Sequence, residues 1–381
     1  MTAQLPIHVD PPGTFIEEEL DARGWTKGDL AFALGMSQAQ LSPILNGKQG
    51  ISPAMARALG DVFDVSADYF ANLQKMYELA KAPAADPGVR KRARWLSTFP
   101  IREMADRGWI ESGDPALLDL QMLRFFEKNR VDDIPFVGDG AILAHAARKQ
   151  SYDAVTPVQF AWLYRIKRIA DQMEAPPFNR DALEASLPTI RARMLSKDDV
   201  QDIPGILRDC GVRLVFVEGL RGAKIDGVCV WNNGQPAIGM TLQRNRLDNF
   251  CFVLRHECEH ILQGDGREES FTPPDDVSKD FLEDPDLPDE EKRANEAAGE
   301  FLVPRKRLDS FIARKAPYIS ERDVLQFAAS LQMNPSVVVG QIQYRMDRYN
   351  WLRKYQNGMR EAVLSDWEFT DGWGHTFPTG L

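Results

Sequence analysis

The sequence predicts an α+β protein that is predominantly helical, and three observations support this class. Long stretches repeat apolar residues with the helical period, while only three short segments between residues 212 and 241 have the composition of strands. No repeat of solenoid length occurs. Hydrophobic residues make up 44% and charged residues 27% of the 381, which is ordinary for a folded chain and excludes disorder over most of it.

Composition also excludes several classes of function. No apolar run approaches the ~18 residues that a membrane-spanning helix needs, and the first residues lack the basic and apolar regions of a secretory signal. The four cysteines include no CxxC pair, so we expect reduced thiols and a cytoplasmic protein. A net charge of −10 argues against general binding to polyanions, so any contact with nucleic acid must come from a local basic or polar patch.

Shifts in composition predict four regions. Residues 11–73 are densely helical, residues 74–188 form a helical middle region, residues 189–345 mix strands with helices, and residues 346–381 form an aromatic tail. The aromatic side chains of the tail are expected to dock onto the body or onto a partner. The acidic, proline-containing stretch 268–291 predicts a solvated loop or, alternatively, a lid over a neighbouring site.

Residues 26–48 predict two short helices joined by a tight turn. Thr26 and Ser37 are suited to cap the two helices, and Gly35 lies where the turn needs a positive φ. In this helix-turn-helix geometry, the start of the second helix meets base edges in the major groove of DNA. Pro43 is expected to shorten or bend that helix. The predicted base-reading residues are Ser37, Gln38, Gln40 and Ser42, and the predicted phosphate contacts are Asn46 and Lys48.

Residues 15–73 resemble the Cro/repressor-type helix-turn-helix family, most closely its HigA-like antitoxin branch. The resemblance rests on the segment LSPILNGKQGIS and on the closing YFANLQ. It implies a five-helix-type domain that binds operator DNA, in a chain that we expect to be a homodimer. In the antitoxin branch, the resemblance further implies neutralisation of a toxin by direct binding.

The segment His256–His260, with the sequence HECEH, predicts a metal site. On a helix the two histidines project from one face and suit Zn²⁺, while Glu257 is placed to accept a proton from water. A third ligand is expected from the later helix EKRANEAAGEFL. Spacing alone does not choose between the pair Glu291 and Asn295 and the offset pair Glu296 and Glu300.

HECEH, followed by the pattern E-x-x-A-N-x-x-A-x-x-F-L-x-P over residues 291–304, resembles the ImmA/IrrE family of zinc metallopeptidases. Predicted strands at 212–217, 227–231 and 236–241 and the segment 319–343 extend the resemblance over about residues 190–345. It implies a zincin-like domain with a small sheet. It also implies that Glu291 is the third zinc ligand and that Asn295 orients a ligand histidine.

The two resemblances together predict a DNA-binding transcriptional regulator that carries a zinc-dependent metallo-endopeptidase. Such a protein would act in stress, phage-related or toxin–antitoxin control, on a protein or peptide substrate such as a repressor or a toxin. The alternative is a HigA-like antitoxin and repressor in which the peptidase-like domain is a non-catalytic sensor or a partner-binding module.

Overall fold

A computed structural model of the protein describes residues 9–84, 86–111, 115–137, 155–267, 287–356, 358–365 and 367–379. The chain divides into two compact units, Met1–Asp86 and Pro87–Leu381. The described residues contain 17 α-helices and one four-stranded sheet, which confirms the predominantly helical class. None of the described helices combines the length and the apolar composition needed to cross a bilayer.

The first unit consists of five helices, as predicted. They are α1 Pro12–Arg23, α2 Lys27–Ala33, α3 Gln38–Leu45, α4 Pro53–Phe63 and α5 Ala67–Lys81. Each helix places apolar residues in one shared core, in which Leu30, Leu59 and Phe70 are fully buried. Helix α5 continues eight residues past the predicted domain end at residue 73, because residues 74–81 contain no helix breaker and the first proline comes only at Pro83.

The second unit contains the remaining helices and the sheet. Its helices are α6 Pro87–Leu96, α7 Ile101–Asp106, α8 Pro115–Phe125, α9 Pro157–Ala170, α10 Arg180–Arg193, α11 Ile203–Asp209, α12 Leu247–Gln263, α13 Asp289–Leu302, α14 Arg305–Lys315, α15 Glu321–Leu331, α16 Pro335–Met346 and α17 Arg360–Leu364. Its strands are β1 Arg213–Val217, β2 Gly227–Asn232, β3 Gln235–Met240 and β4 Thr370–Asp371. The three predicted strands agree with β1, β2 and β3 within one residue at each end, whereas β4 was not predicted.

The strands are ordered β2-β3-β1-β4 in a mixed sheet. Strand β1 pairs in parallel with β3 and with β4, and β2 pairs antiparallel with β3. The connection between β2 and β3 is a two-residue turn in which Asn233 and Gly234 both have positive φ, the conformation that matches the twist of a hairpin.

Helical layers cover both faces of the sheet. Along β1, Leu214 and Phe216 join the core that contains α12, while Val215 and Val217 join the core formed by the helices of the middle region. Since both faces are buried, β1, β2 and β3 are largely continuous apolar runs rather than alternating ones. The middle region and the sheet share one core within one compact unit, whereas the sequence placed a boundary between them near residue 188.

The tail also belongs to the second unit, whereas the sequence placed a boundary near residue 345. Strand β4 extends the sheet, and its Asp371 is fully buried against the guanidinium of Arg165, with 3.1 Å between Arg165 Nε and Asp371 Oδ2. The indole nitrogen of Trp109 donates to the other oxygen of Asp371 at 2.8 Å. Of the two roles expected for the aromatic residues of the tail, the structure shows docking onto the body: Trp367, Phe369, Trp373 and Phe377 pack against its cores.

Candidate metal centre and nucleic-acid interface

Helix α3 presents a polar surface on the first unit. Its apolar side is held in the core by Leu41, Ile44 and Leu45. The six predicted DNA-contacting residues are all exposed, on this helix and on the turn that follows it: Ser37, Gln38, Gln40, Ser42, Asn46 and Lys48. The turn before the helix contains Gly35 with φ of 65°, as predicted. The sequence prediction of a helix-turn-helix surface is thus realised in the geometry.

Local hydrogen bonds fix where α3 begins. Ser37 Oγ accepts from the backbone nitrogen of Gln40 at 3.3 Å, and Gln40 Oε1 accepts from the backbone nitrogen of Ser37 at 3.0 Å. This reciprocal cap satisfies donors at the helix start that would otherwise have no partner. Ser37 and Gln40 therefore position the helix, a role that the sequence prediction gave only to Ser37. The amide nitrogen of Asn46 donates to Ser42 Oγ at 3.1 Å, so these two side chains also contact each other.

Pro43 does not interrupt α3, contrary to the expectation that it would shorten the helix, while the alternative of a bend stays a prediction. The helix runs through Pro43 to Leu45, with Asn46 as its C-cap. Proline lacks the donor for only one bond within the helix. Because Leu41, Ile44 and Leu45 are anchored in the core on either side, tertiary packing outweighs that loss.

In the second unit, helix α12 carries the HECEH motif through the interior. Fourteen of its 17 residues are buried, including His256, Glu257 and His260 at 0% exposure. It packs against α13, where Glu291, Ala294 and Ala298 form the buried face. The two small alanine side chains let the helices approach closely, which brings the carboxylate of Glu291 to the imidazoles.

The three side chains form a tight cluster. The two Nε2 atoms of His256 and His260 are 2.9 Å apart. A carboxylate oxygen of Glu291 lies 3.2 Å from His256 Nε2, and its other oxygen lies 3.5 Å from His260 Nε2. Burial raises the pKa of Glu291, but its contacts with both histidines more than offset this, so its pKa lies well below the usual range. Glu291 is therefore a carboxylate at neutral pH.

This donor set fits a zinc ion. Three ligand atoms that each lie 2.0–2.2 Å from a tetrahedral Zn²⁺ are separated from one another by about 3.4 Å. The two imidazole nitrogens are 2.9 Å apart, and each lies at a similar distance from one oxygen of the Glu291 carboxylate, His256 at 3.2 Å from Oε2 and His260 at 3.5 Å from Oε1. The structure also separates the alternatives that spacing left open, because Glu291 joins the cluster while Glu296 and Glu300 are exposed.

Glu257 lies inside the protein beside the first histidine, against the start of strand β2. A Cβ atom added to Gly227 would lie 2.5 Å from a carboxylate oxygen of Glu257 and 2.4 Å from Val253. Only glycine at this strand position leaves room for the Glu257 carboxylate. The strand therefore supports the residue that the sequence predicted as the proton acceptor.

Asp265 is a part of the site that the sequence analysis missed. Helix α12 ends at Gly264 in the left-handed conformation, and the chain turns back so that Asp265 Oδ2 lies 2.9 Å from His260 Nδ1. Arg293 donates to the same oxygen at 2.6 Å. Burial raises the pKa of Asp265, but hydrogen bonds from His260 and Arg293 outweigh it and keep the carboxyl ionised. The sequence signal was the Gly264-Asp265 pair directly after the helix, where glycine is the usual C-terminal residue.

The contact predicted for Asn295 is not formed. Asn295 was expected to orient a ligand histidine, yet its amide nitrogen and oxygen are buried with no hydrogen-bond partner among the described residues. For His260 that role is taken by Asp265, which approaches from the helix end. The lid predicted for the stretch 268–291 falls mostly on residues 268–286, which lie outside the described residues.

Comparisons with known proteins bear on the first unit. Residues 16–70 match the helix-turn-helix family, which confirms that prediction and supports a DNA-binding transcriptional regulator. The chain is similar to Virulence-associated protein A' of Dichelobacter nodosus, with 39% identity over 71 residues. Those residues are 18% of this chain and 62% of that protein, so the chain spans less than two thirds of this relative. No solved structure matches the chain.

Proposed function

We propose that this DNA-binding regulator carries a zinc-dependent metallo-endopeptidase in its second unit. The observation that supports the proposal is the convergence of His256, His260 and Glu291, whose ligand atoms all lie within 4.8 Å of one another in the interior. Three protein ligands that leave a fourth position open are typical of catalytic rather than structural zinc sites. Glu257, next in sequence to the first histidine, supplies the carboxylate that hydrolysis needs.

Each residue has a distinct part in this chemistry. When bound, Zn²⁺ supplies a Lewis acid that polarises a carbonyl group and makes water more acidic. Glu257 accepts a proton from the attacking water at a carboxylate oxygen and returns it to the leaving nitrogen. His256, His260 and Glu291 hold the ion, and Asp265 fixes the ring of His260 by accepting from Nδ1, so that Nε2 faces the cluster.

Metal content and proteolysis test the proposal separately. The purified full-length chain is expected to retain about one zinc ion. Fluorescein-labelled casein serves as a general unfolded substrate, and Glu257→Gln should keep the zinc while cleavage falls by about 10²–10⁴-fold, because only the proton acceptor is removed. Absence of zinc from protein purified without chelators would overturn the proposal.

A non-catalytic sensor is the second candidate, and the complete burial of His256, Glu257 and His260 favours it. A substrate carbonyl must reach the cluster, whereas an ion or a small signal needs less access. In this HigA-like alternative, the second unit binds a partner such as a toxin and the first unit represses an operon. Full zinc content without cleavage of casein or of any co-purified partner would support the sensor over the peptidase.

For the first unit, we propose that a homodimer of the chain binds an operator through α3. Binding sites selected from random DNA should be two-fold symmetric, and affinity should fall steeply as salt rises. Gln38→Ala should weaken binding by about 5–150-fold if the amide reads a base. Gln49→Ala is the matched control, since Gln49 is also an exposed glutamine but lies beyond the helix. Equal effects of the two substitutions would contradict base reading by Gln38.

A further inference from the structure

A pocket of about 640 Å³ opens beside the metal cluster in the second unit. Two of its lining residues lie one helical turn from metal ligands: Phe252 precedes His256 on α12, and Asn295 follows Glu291 on α13. The ring centroids of Phe252 and His256 are 6.3 Å apart. The pocket therefore begins about 6 Å along each helix from the cluster. At that distance, the side chain next to a peptide bond held at the cluster can reach the pocket.

The lining determines which side chain the pocket accepts. Its apolar surface comes from Phe252 together with Leu287, Val303 and Leu308. The charged residues around it largely neutralise one another: Arg345 Nε lies 3.1 Å from an oxygen of Asp309, and Arg246 pairs with Asp248. A balanced rim around an apolar interior favours a large uncharged side chain over an acidic or basic one.

Asn295 adds a polar anchor at the end of the pocket nearest the cluster. Its amide nitrogen and oxygen are buried without a hydrogen-bond partner among the described residues, which is a costly arrangement unless something else supplies the bonds. A carboxamide offers one donor group and one acceptor, and a peptide group offers the complementary pair. Rotation of the Asn295 side chain toward the pocket would let an extended polypeptide there satisfy both atoms.

We propose that this pocket binds the substrate polypeptide beside the scissile bond, with a large apolar side chain in its interior and a peptide group hydrogen-bonded to Asn295. The inference rests on the proposed peptidase function and specifies its substrate class: unfolded or extended segments with an aromatic or large aliphatic residue next to the cleaved bond. Asn295 is then a substrate-positioning residue, in place of the histidine-orienting role that sequence analysis predicted.

Binding of small peptide analogues to the metal-free, full-length chain tests the pocket without depending on zinc or cleavage. The probes are the N-acetyl N-methylamides of phenylalanine, glycine, glutamate and lysine, measured by saturation-transfer NMR. The phenylalanine compound should bind about tenfold more tightly than the glycine compound, because its ring leaves water. Gly299→Phe is designed to occupy the pocket with a ring, since Gly299 lines it and an added Cβ meets no atom within 4 Å. Gly205→Phe is the matched control, an equally open helical glycine outside the pocket lining.

Gly299→Phe should abolish the preference for phenylalanine, while Gly205→Phe should preserve it. Asn295→Ala should weaken all four compounds alike, because it removes a contact with the peptide group that they share. Circular dichroism on each variant checks that the fold is intact. Unchanged phenylalanine binding in Gly299→Phe, or a preference for the charged compounds, would overturn the proposal. Absence of zinc or of casein cleavage would instead count against the peptidase function, and it would not change the result of the peptide-analogue binding experiment.

Discussion

Two of the helices that carry predicted functional residues, α3 and α12, differ in where they place them. Helix α3 buries only three of its eight residues and turns its polar residues outward. Helix α12 buries 14 of 17, and its histidines and Glu257 lie within the packed interior. A surface helix can change its contacts without changing the core that supports it. In a buried helix, every functional substitution also alters packing or leaves a polar group without its partner.

Removal of a metal ligand should produce the largest effect and should stay confined to the second unit. His260→Ala removes one of three ligand atoms, so we expect zinc content to fall from about one ion per chain to below about 0.1. Elemental analysis after gel filtration measures this. Binding of the selected operator DNA is expected to remain unchanged, because α3 belongs to a separate compact unit.

His375→Ala is the matched control for that experiment. His375 is an exposed histidine of the tail and lies outside the cluster. Zinc content equal to that of the wild type is expected. A parallel loss of zinc and of DNA binding in His260→Ala would contradict the expectation that the metal site of the second unit and the DNA-binding surface of the first unit act independently. It would favour a sensor in which the metal controls the first unit.

The buried ion pair of the tail should give the next largest effect. Asp371→Ala leaves the guanidinium of Arg165 buried without its carboxylate, and such a loss costs about 3–5 kcal/mol of unfolding free energy. Urea unfolding followed by tryptophan fluorescence measures it. Asp132→Ala, which breaks exposed ion pairs with Arg94 and Arg130, should leave stability unchanged within error. Equal effects of both substitutions would show that the tail is not part of the core.

Asp265→Ala should have a smaller effect that is still specific to the metal centre. The substitution removes the acceptor that holds His260 Nδ1, and loss of such a partner lowers metal affinity by about 10–100-fold. Competition with a chromogenic zinc chelator measures the affinity. Asp265→Asn keeps an acceptor without the charge, so its zinc affinity should lie between the affinities of Asp265→Ala and the wild type. Zinc affinity equal to that of the wild type in Asp265→Ala would show that packing alone orients the ring.

Local signals explain which parts of the fold were predictable. The caps at Thr26 and Ser37 and the turn at Gly35 are encoded within a few neighbouring residues, and all three appear as expected. Strands β1, β2 and β3 were predictable because both of their faces are apolar. Strand β4 has only two residues and depends on pairing with β1, more than 150 residues earlier, so no local pattern identifies it.

The candidate site shows the same limit. The spacing of His256 and His260 is a property of one helix and was visible in the sequence. The selection of Glu291 over Glu296 and Glu300 depends on how α13 packs on α12, and only the family resemblance indicated it. Gly264 marks the end of α12 in the sequence, but the contact of Asp265 with His260 depends on how the chain returns, and the pocket depends on the meeting of several helices, so residue spacing showed neither.

The smallest predicted effect tests the surface helix itself. Ser37→Ala removes the side-chain cap of α3 and should lower the unfolding free energy of the first unit by about 1 kcal/mol. Gln38→Ala, one residue further, should weaken DNA binding without a comparable loss of stability, since Gln38 is exposed and the hydrogen bonds of the cap join Ser37 and Gln40 instead. Thermal unfolding followed by circular dichroism, with operator affinity measured on the same samples, separates the two quantities. If Gln38→Ala proved as destabilising as Ser37→Ala, function and stability would be coupled on α3 as they are on α12.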